Sequence, residues 1–218
     1  MIRAVLAIVL LLAGPVHATQ DAFPGLYDVT GVASDDVLNI RSGPGASHAI
    51  IGSLPPDATD IEVIAPDDRH RWAKINFREG TGWVSMDYLV PHPGQVSGFV
   101  PDIRHCFGTE PFWSLTYDQP RITLSMPDIE PRDGLISGYH GSLSRRDRFA
   151  FTGSFFPTAA GDREIQLFVR QEICTDGMSD REYGIAADVL IKRPTAGGDH
   201  SGTGFYAGCC SLTPPSAR

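Results

Sequence analysis

The chain has 218 residues, 42% of them hydrophobic, and carries 18 basic against 26 acidic side chains for a formal net charge of -8. Proteins that track a phosphate backbone concentrate Lys and Arg on one face, so this balance disfavours nucleic acid and anionic polymers as partners. The length allows one or two domains.

Residues 1–18, MIRAVLAIVLLLAGPVHA, place Arg3 before an apolar run from Ala4 to Ala13 and end in Val16-His17-Ala18, with small residues where a signal peptidase reads. The pattern predicts a secretory signal peptide and a periplasmic or secreted mature protein. The run is shorter than the roughly 20 residues a spanning helix needs, so no membrane span is expected. With no Cys near the predicted cut, neither is a lipid anchor.

Between Tyr27 and Val90 short apolar runs alternate with turn residues. VLNIRS puts Val37, Asn39 and Arg41 on one face and Leu38 and Ile40 on the other, as in a strand with one buried side. GPGAS breaks the run, IIGSL resumes it, PPDAT turns, IEVIA alternates again and PDDRHR reads as a polar loop. WAKINF, the turn REGTG and WVSMDYLV complete the unit. Strands at this spacing predict a small, partly open barrel.

LNIRSGPGASHAIIGSLPPDA followed by WAKINFREGTGWVSMDYL resembles the bacterial SH3 domain over residues 27–90. The resemblance makes Arg41 to Gly45 the turn after the first core strand, where Gly43 and Gly45 permit backbone angles other residues resist and Pro44 fixes one. It implies recognition of a cell-wall peptide or an envelope protein through a shallow groove, with Asn39, Arg41, Trp72, Trp83 and Tyr88 as candidate ligand-binding residues. The bland alternative is structural: Trp83 capping the core and Arg41 tying its turn to a carboxylate. Ten acidic against five basic residues in this unit favour a neutral or cationic ligand.

VPHPGQVSGFVPD, with three prolines and two glycines, predicts a linker at 91–102 and a second domain at 103–212. All four cysteines, Cys106, Cys174, Cys209 and Cys210, follow it. An even count in an exported chain predicts two disulfides, and a bond between the adjacent Cys209 and Cys210 would strain its ring. FWSLTYD, RITLSM, LISGYHG, RFAFTGSFF, EIQLFVRQEIC, YGIAADVLIK and TGFYAG read as strands, and no segment carries the periodicity of an amphipathic helix. The expected fold is therefore all-β: a small SH3-like barrel followed by a disulfide-linked antiparallel β sandwich or barrel.

Three motifs, CFGTEPFWSL at 106–115, CTDGMSDREY at 174–183 and GCC at 208–210, resemble an uncharacterised family of bacterial envelope proteins. That family's recurrent cysteines are the one beside DGMSD and the terminal Gly-Cys. The resemblance therefore implies a Cys174–Cys209 bond, which leaves Cys106 for Cys210. Adjacent cysteines on a terminal strand would reach partners on opposite faces.

Glu110, Asp176 and Asp180 are the candidate acid and base carboxylates, since paired carboxylates can cleave glycosides. The competing reading makes Asp176-Gly177 a turn, has Ser179 and Asp180 bond nearby backbone, and lets Phe112 and Trp113 fill a core. His105, Cys106, Cys209 and Cys210 could supply zinc ligands, but the paired short spacings are absent and disulfides compete for the thiols, so no metal or cofactor is expected. His48, His70, His92, His140 and His200 sit in loops without a motif, and RRDR at 145–148 reads as a solvated basic patch. The leading reading is an exported, non-enzymatic binding protein. The rivals are a cell-wall hydrolase targeted by its SH3 domain and an inhibitor of a lysozyme-like enzyme, for which an acidic surface would suit a basic partner.

Overall fold

The computed structural model describes residues 22–158, 161–192 and 203–214, so the predicted signal peptide and His200 lie outside the described residues. Seven strands form the first sheet: β1 (Gly25–Val29), β2 (Leu38–Arg41), β3 (Ile50–Leu54), β4 (Ile61–Pro66), β5 (Trp72–Phe77), β6 (Gly80–Ser85) and β7 (Leu89–Pro91). Their spatial order is β3-β2-β6-β5-β4-β1-β7. Alternation along β2 sends Leu38 and Ile40 inward and Asn39 and Arg41 outward, as the pleat requires. The core they join contains Tyr27, Val63, Ile75 and Val84. In β4 the expected alternation fails: Val63 and Ile64 are both buried, because a bulge between Val63 and Ala65 shifts the register against β5. A 3-10 turn, Met86–Tyr88, joins β6 to β7.

The second unit comprises β8 (His105–Thr109), β9 (Phe112–Asp118), β10 (Arg121–Met126), β11 (Ile129–Gly141), β12 (Arg148–Thr158), β13 (Gly161–Arg170), the short pair β14 (Cys174–Thr175) and β15 (Glu182–Tyr183), β16 (Ile185–Lys192) and β17 (Gly204–Ser211). Eight of these strands close a barrel in the order β10-β11-β12-β13-β16-β17-β8-β9, and the β14–β15 pair stands outside the ring. Closure decides between the sandwich and the barrel, and it removes the sheet edges that would otherwise invite pairing with other chains. The interior is packed rather than hollow, with Leu115, Ile122, Phe151, Ile165, Ile185 and Val189 almost wholly buried.

Cys106 is bonded to Cys210 and Cys174 to Cys209, the two pairs that the resemblance implies. Cys106 and Cys210 are register partners on neighbouring strands β8 and β17. Cys209 faces the other way and holds the β14–β15 pair against the barrel wall. The GTEPFW and GCC motifs meet around one side chain. Trp113 is 4% exposed, and its Nε1 donates to the Ala207 carbonyl at 3.2 Å. A Cβ on Gly108 would overlap that indole nitrogen and that carbonyl, and one on Gly208 would overlap the Phe107 carbonyl, so glycine is what allows the ring between β8 and β17. Phe112, expected in the core, instead points outward and is 52% exposed.

The segment after β7 is tied to the first sheet. The Gln95 side chain accepts from Leu26 N at 2.6 Å and donates to the Leu26 carbonyl at 2.7 Å, and His92 N donates to the same carbonyl at 2.9 Å. β1 is shared between the units by alternation. Tyr27 enters the first core, while Leu26 on the opposite face packs against the barrel core. Among the described residues no helix is long and apolar enough to cross a membrane.

Candidate functional site

The outer face of the first sheet divides in two. On one half, Glu62, the register partner of Leu26, reaches the end of β17. Its Oε2 accepts from the Ser211 hydroxyl, from Leu212 N at 3.2 Å and from the Thr213 hydroxyl at 3.4 Å. Further along, Lys74 pairs with Glu182 at 2.8 Å. Asn76 donates to the Glu182 carbonyl at 2.8 Å and accepts from Glu182 N at 3.2 Å, so its amide pairs with β15 as a neighbouring strand would. The barrel unit therefore covers the outer face of β1, β4 and part of β5.

The other half carries the candidate groove. Ile50 pairs with Arg41, Arg41 with Trp83, and Trp83 with Lys74, a single register row crossing β3, β2, β6 and β5. Trp83 is half-buried beside the core rather than within it, and the Lys74 ammonium lies 5.3 Å from its ring centroid, a cation–π contact. Arg41 ties its turn as expected, but through the His48 carbonyl at 2.8 Å rather than a carboxylate. Ile50 is 56% exposed. Asn39 and Trp72 share this face by alternation along β2 and β5, where they pair with Ser53 and Ser85. Tyr88 lies apart, in the 3-10 turn near Gly31.

Sequence reasoning missed three contributors. Ile50 was read only as part of the IIGSL run, and Lys74 only as one of the unit's five basic residues. Glu182 lies 108 positions from the lysine it holds, and no local pattern announces such a pairing.

The Asp176 carboxylate has a structural task in its own turn. Burial pushes the Asp176 carboxyl up, but bonds from Met178 N at 2.9 Å, Ser179 N at 2.8 Å and the Ser179 hydroxyl at 2.8 Å outweigh it and hold the group below the usual aspartate range. Gly177 takes φ +71° in that turn, the left-handed region that favours glycine. Asp180 N donates to the Glu79 carbonyl at 2.8 Å across the unit boundary. Glu110 is exposed in the β8–β9 turn. All three sulfurs of the proposed zinc set are committed to disulfides, Cys106 with Cys210 and Cys209 with Cys174, and no group of three or more His, Cys, Asp or Glu side chains able to hold a metal occurs among the described residues. In RRDR, Arg145 pairs with Asp147 at 2.7 Å.

Among the described residues, Glu62 is the carboxyl at the unit boundary whose environment raises its pKa. Burial from solvent is the main cause, and the bonds from Ser211, Leu212 and Thr213 only partly offset it. A raised carboxyl binds more protons in the folded than in the unfolded state, so its destabilising contribution vanishes at acid pH and grows upward from the ordinary glutamate value of 4.5. Glu62→Gln is therefore expected to gain melting temperature relative to wild type as pH rises from 5 to 8. Parallel thermal-unfolding profiles for the two proteins would contradict this.

Residues 36–90 match the bacterial SH3 domain family. A Bacillus subtilis (strain 168) protein named as an N-acetylmuramoyl-L-alanine amidase, YrvJ, is 40% identical over 61 residues, which are 28% of this chain and 11% of that protein. The chain thus spans about a tenth of the length of the curated relative it matches. No solved structure matches the chain.

Proposed function

We propose that this chain is an exported binding protein whose bacterial SH3 domain recognises a cell-wall peptide or an envelope protein through the row Ile50, Arg41, Trp83 and Lys74. The observation that carries the reading is the row itself. It places a half-buried indole between two cationic side chains, with an exposed aliphatic residue beside them, in a row that runs from β3 on the open half of the sheet to Lys74, where Glu182 of the barrel unit meets it. Trp and Arg are the residue types that most often dominate binding energy, because they combine large apolar area with directional bonding. Lys74 is already paired with Glu182 and Arg41 is bonded to His48, so both cations are pre-positioned and lose less freedom on binding.

The amidase likeness supports a wall-associated setting. It does not carry hydrolysis, since the aligned part is 11% of that protein and Asp176 spends its carboxylate on its own turn. The test combines co-sedimentation with purified sacculi and an assay for released muropeptides. Sedimentation without release is the expected result. Release of soluble fragments would turn the reading to the hydrolase, and failure to sediment with sacculi or to capture envelope proteins would remove it.

A further inference from the structure

The barrel has one mouth away from the first sheet, and the side chains that line it do not follow the pattern of the interior below. Along β11, Ile136 and Gly134 are buried, Ile136 at 4% exposure, and alternation makes Arg132 the next inward position toward the mouth, just before the bulge that leads to Ile129. Along β13, Ile165 and Leu167 face inward, and Arg163 takes the same mouth-side position. Inward positions of small barrels are ordinarily filled by apolar side chains. Here two strands place guanidinium groups at inward positions beside the mouth, in a chain whose net charge is -8.

These two arginines border a cavity of about 230 Å³ whose apolar wall is Leu124, Met126, Ile129, Ile191 and Tyr206. Arg132 is half-buried, with no hydrogen-bond or ion-pair partner among the described residues. Glu130 is the one carboxylate on the lining among the described residues. A partly desolvated cation without a counter-charge is costly, and an anion bound beside it would offset that cost. Glu130 opposes the entry of a second negative charge, which favours a monoanion over a phosphate dianion. The cavity lies below the roughly 300–1,000 Å³ of drug-sized sites and has room for about eight water-sized groups.

We propose that the barrel mouth is a binding site for a small aliphatic monocarboxylate, with the carboxylate on Arg132 and the alkyl chain against Leu124, Met126, Ile129 and Ile191. The planar guanidinium suits a carboxylate because it can donate two parallel bonds. The site lies on the second unit and is independent of the SH3 face.

The test is an NMR titration of the full mature chain with octanoate, octylammonium and octanol, three probes sharing one chain length and differing in charge. Octanoate is expected to shift the methyl signals of Leu124, Ile129 and Ile191, with octylammonium at least about tenfold weaker. Arg132→Gln is expected to weaken octanoate by at least about tenfold while leaving octanol unchanged, and Arg132→Lys to retain part of the affinity. Shifts confined to the first sheet, equal affinity for octanoate and octylammonium, or wild-type affinity in a folded Arg132→Gln would each overturn the proposal. If Arg132→Gln fails to fold, the ranking of the three probes on wild type decides.

Discussion

Replacing Cys106 and Cys210 together with Ala is expected to lower the stability of the barrel by about 2–5 kcal/mol and its melting temperature by roughly 10–20 °C. The bond joins residues 104 positions apart. In the chain-entropy picture a closed loop of that size stabilises by up to about 4.7 kcal/mol. The Cys174–Cys209 bond, with a separation of 35, comes to about 3.8 kcal/mol on the same expression. The first deletion should therefore lower the melting temperature more than the second. Their structural consequences should also differ. Cys210 adjoins Ser211, whose hydroxyl bonds Glu62 of the first sheet, so loosening that end of β17 should also be felt at the unit boundary. Loss of Cys174–Cys209 should instead free the β14–β15 pair and with it Glu182, the partner of Lys74. Calorimetry of the two double variants checks the order. Equal melting temperatures for wild type and the Cys106/Cys210 variant would show that the bond carries no net stability.

The second large effect is expected at Trp83. Trp83→Ala should weaken sacculus or envelope-protein binding by about 2 kcal/mol or more, a loss of roughly thirtyfold. The fold should survive, because the ring lies outside the buried core formed by Ile40, Ile75 and Val84. Truncation also removes the surface over which the Lys74 ammonium sits, so Lys74→Met should reproduce part of the loss. Gln95→Ala is not a neutral control, because the Gln95 amide holds Leu26 through two bonds. Asn39→Ala, on the same face but outside the row, is expected to lose less than Trp83→Ala. Equilibrium binding of the folded variants to sacculi measures all three.

The all-β architecture was legible in the sequence because most of the longer strands leave a local mark. β9 and β10 coincide with FWSLTYD and RITLSM, where apolar and polar residues alternate from Trp113 onward in the first and throughout the second. β8 left no such mark: HCFGT contains the glycine that admits Trp113, and the segment was read as part of a motif and not as a strand. The β4 bulge was hidden for a related reason, since IEVIA shows its apolar residues but not which register they take against β5. In the candidate site, Arg41 and Trp83 were found by residue type. That they are direct neighbours follows from the β2–β6 pairing, and such pairing is not written in either strand. Glu62 was the least visible. It is one acidic residue among many in the first unit, and only its long-range partners, about 150 positions away, set it apart.

The most direct measurement of the central claim is the indole Nε–H signals of Trp72, Trp83 and Trp113, followed by NMR while soluble wall peptide or the captured envelope partner is added. Trp113 donates to Ala207 inside the barrel and serves as the internal reference. The account predicts that the Trp83 signal shifts with saturation, Trp72 shifts less, and Trp113 stays fixed. A saturating ligand that moves Trp113 and leaves Trp83 in place would put recognition on the barrel and contradict the assignment of the SH3 face.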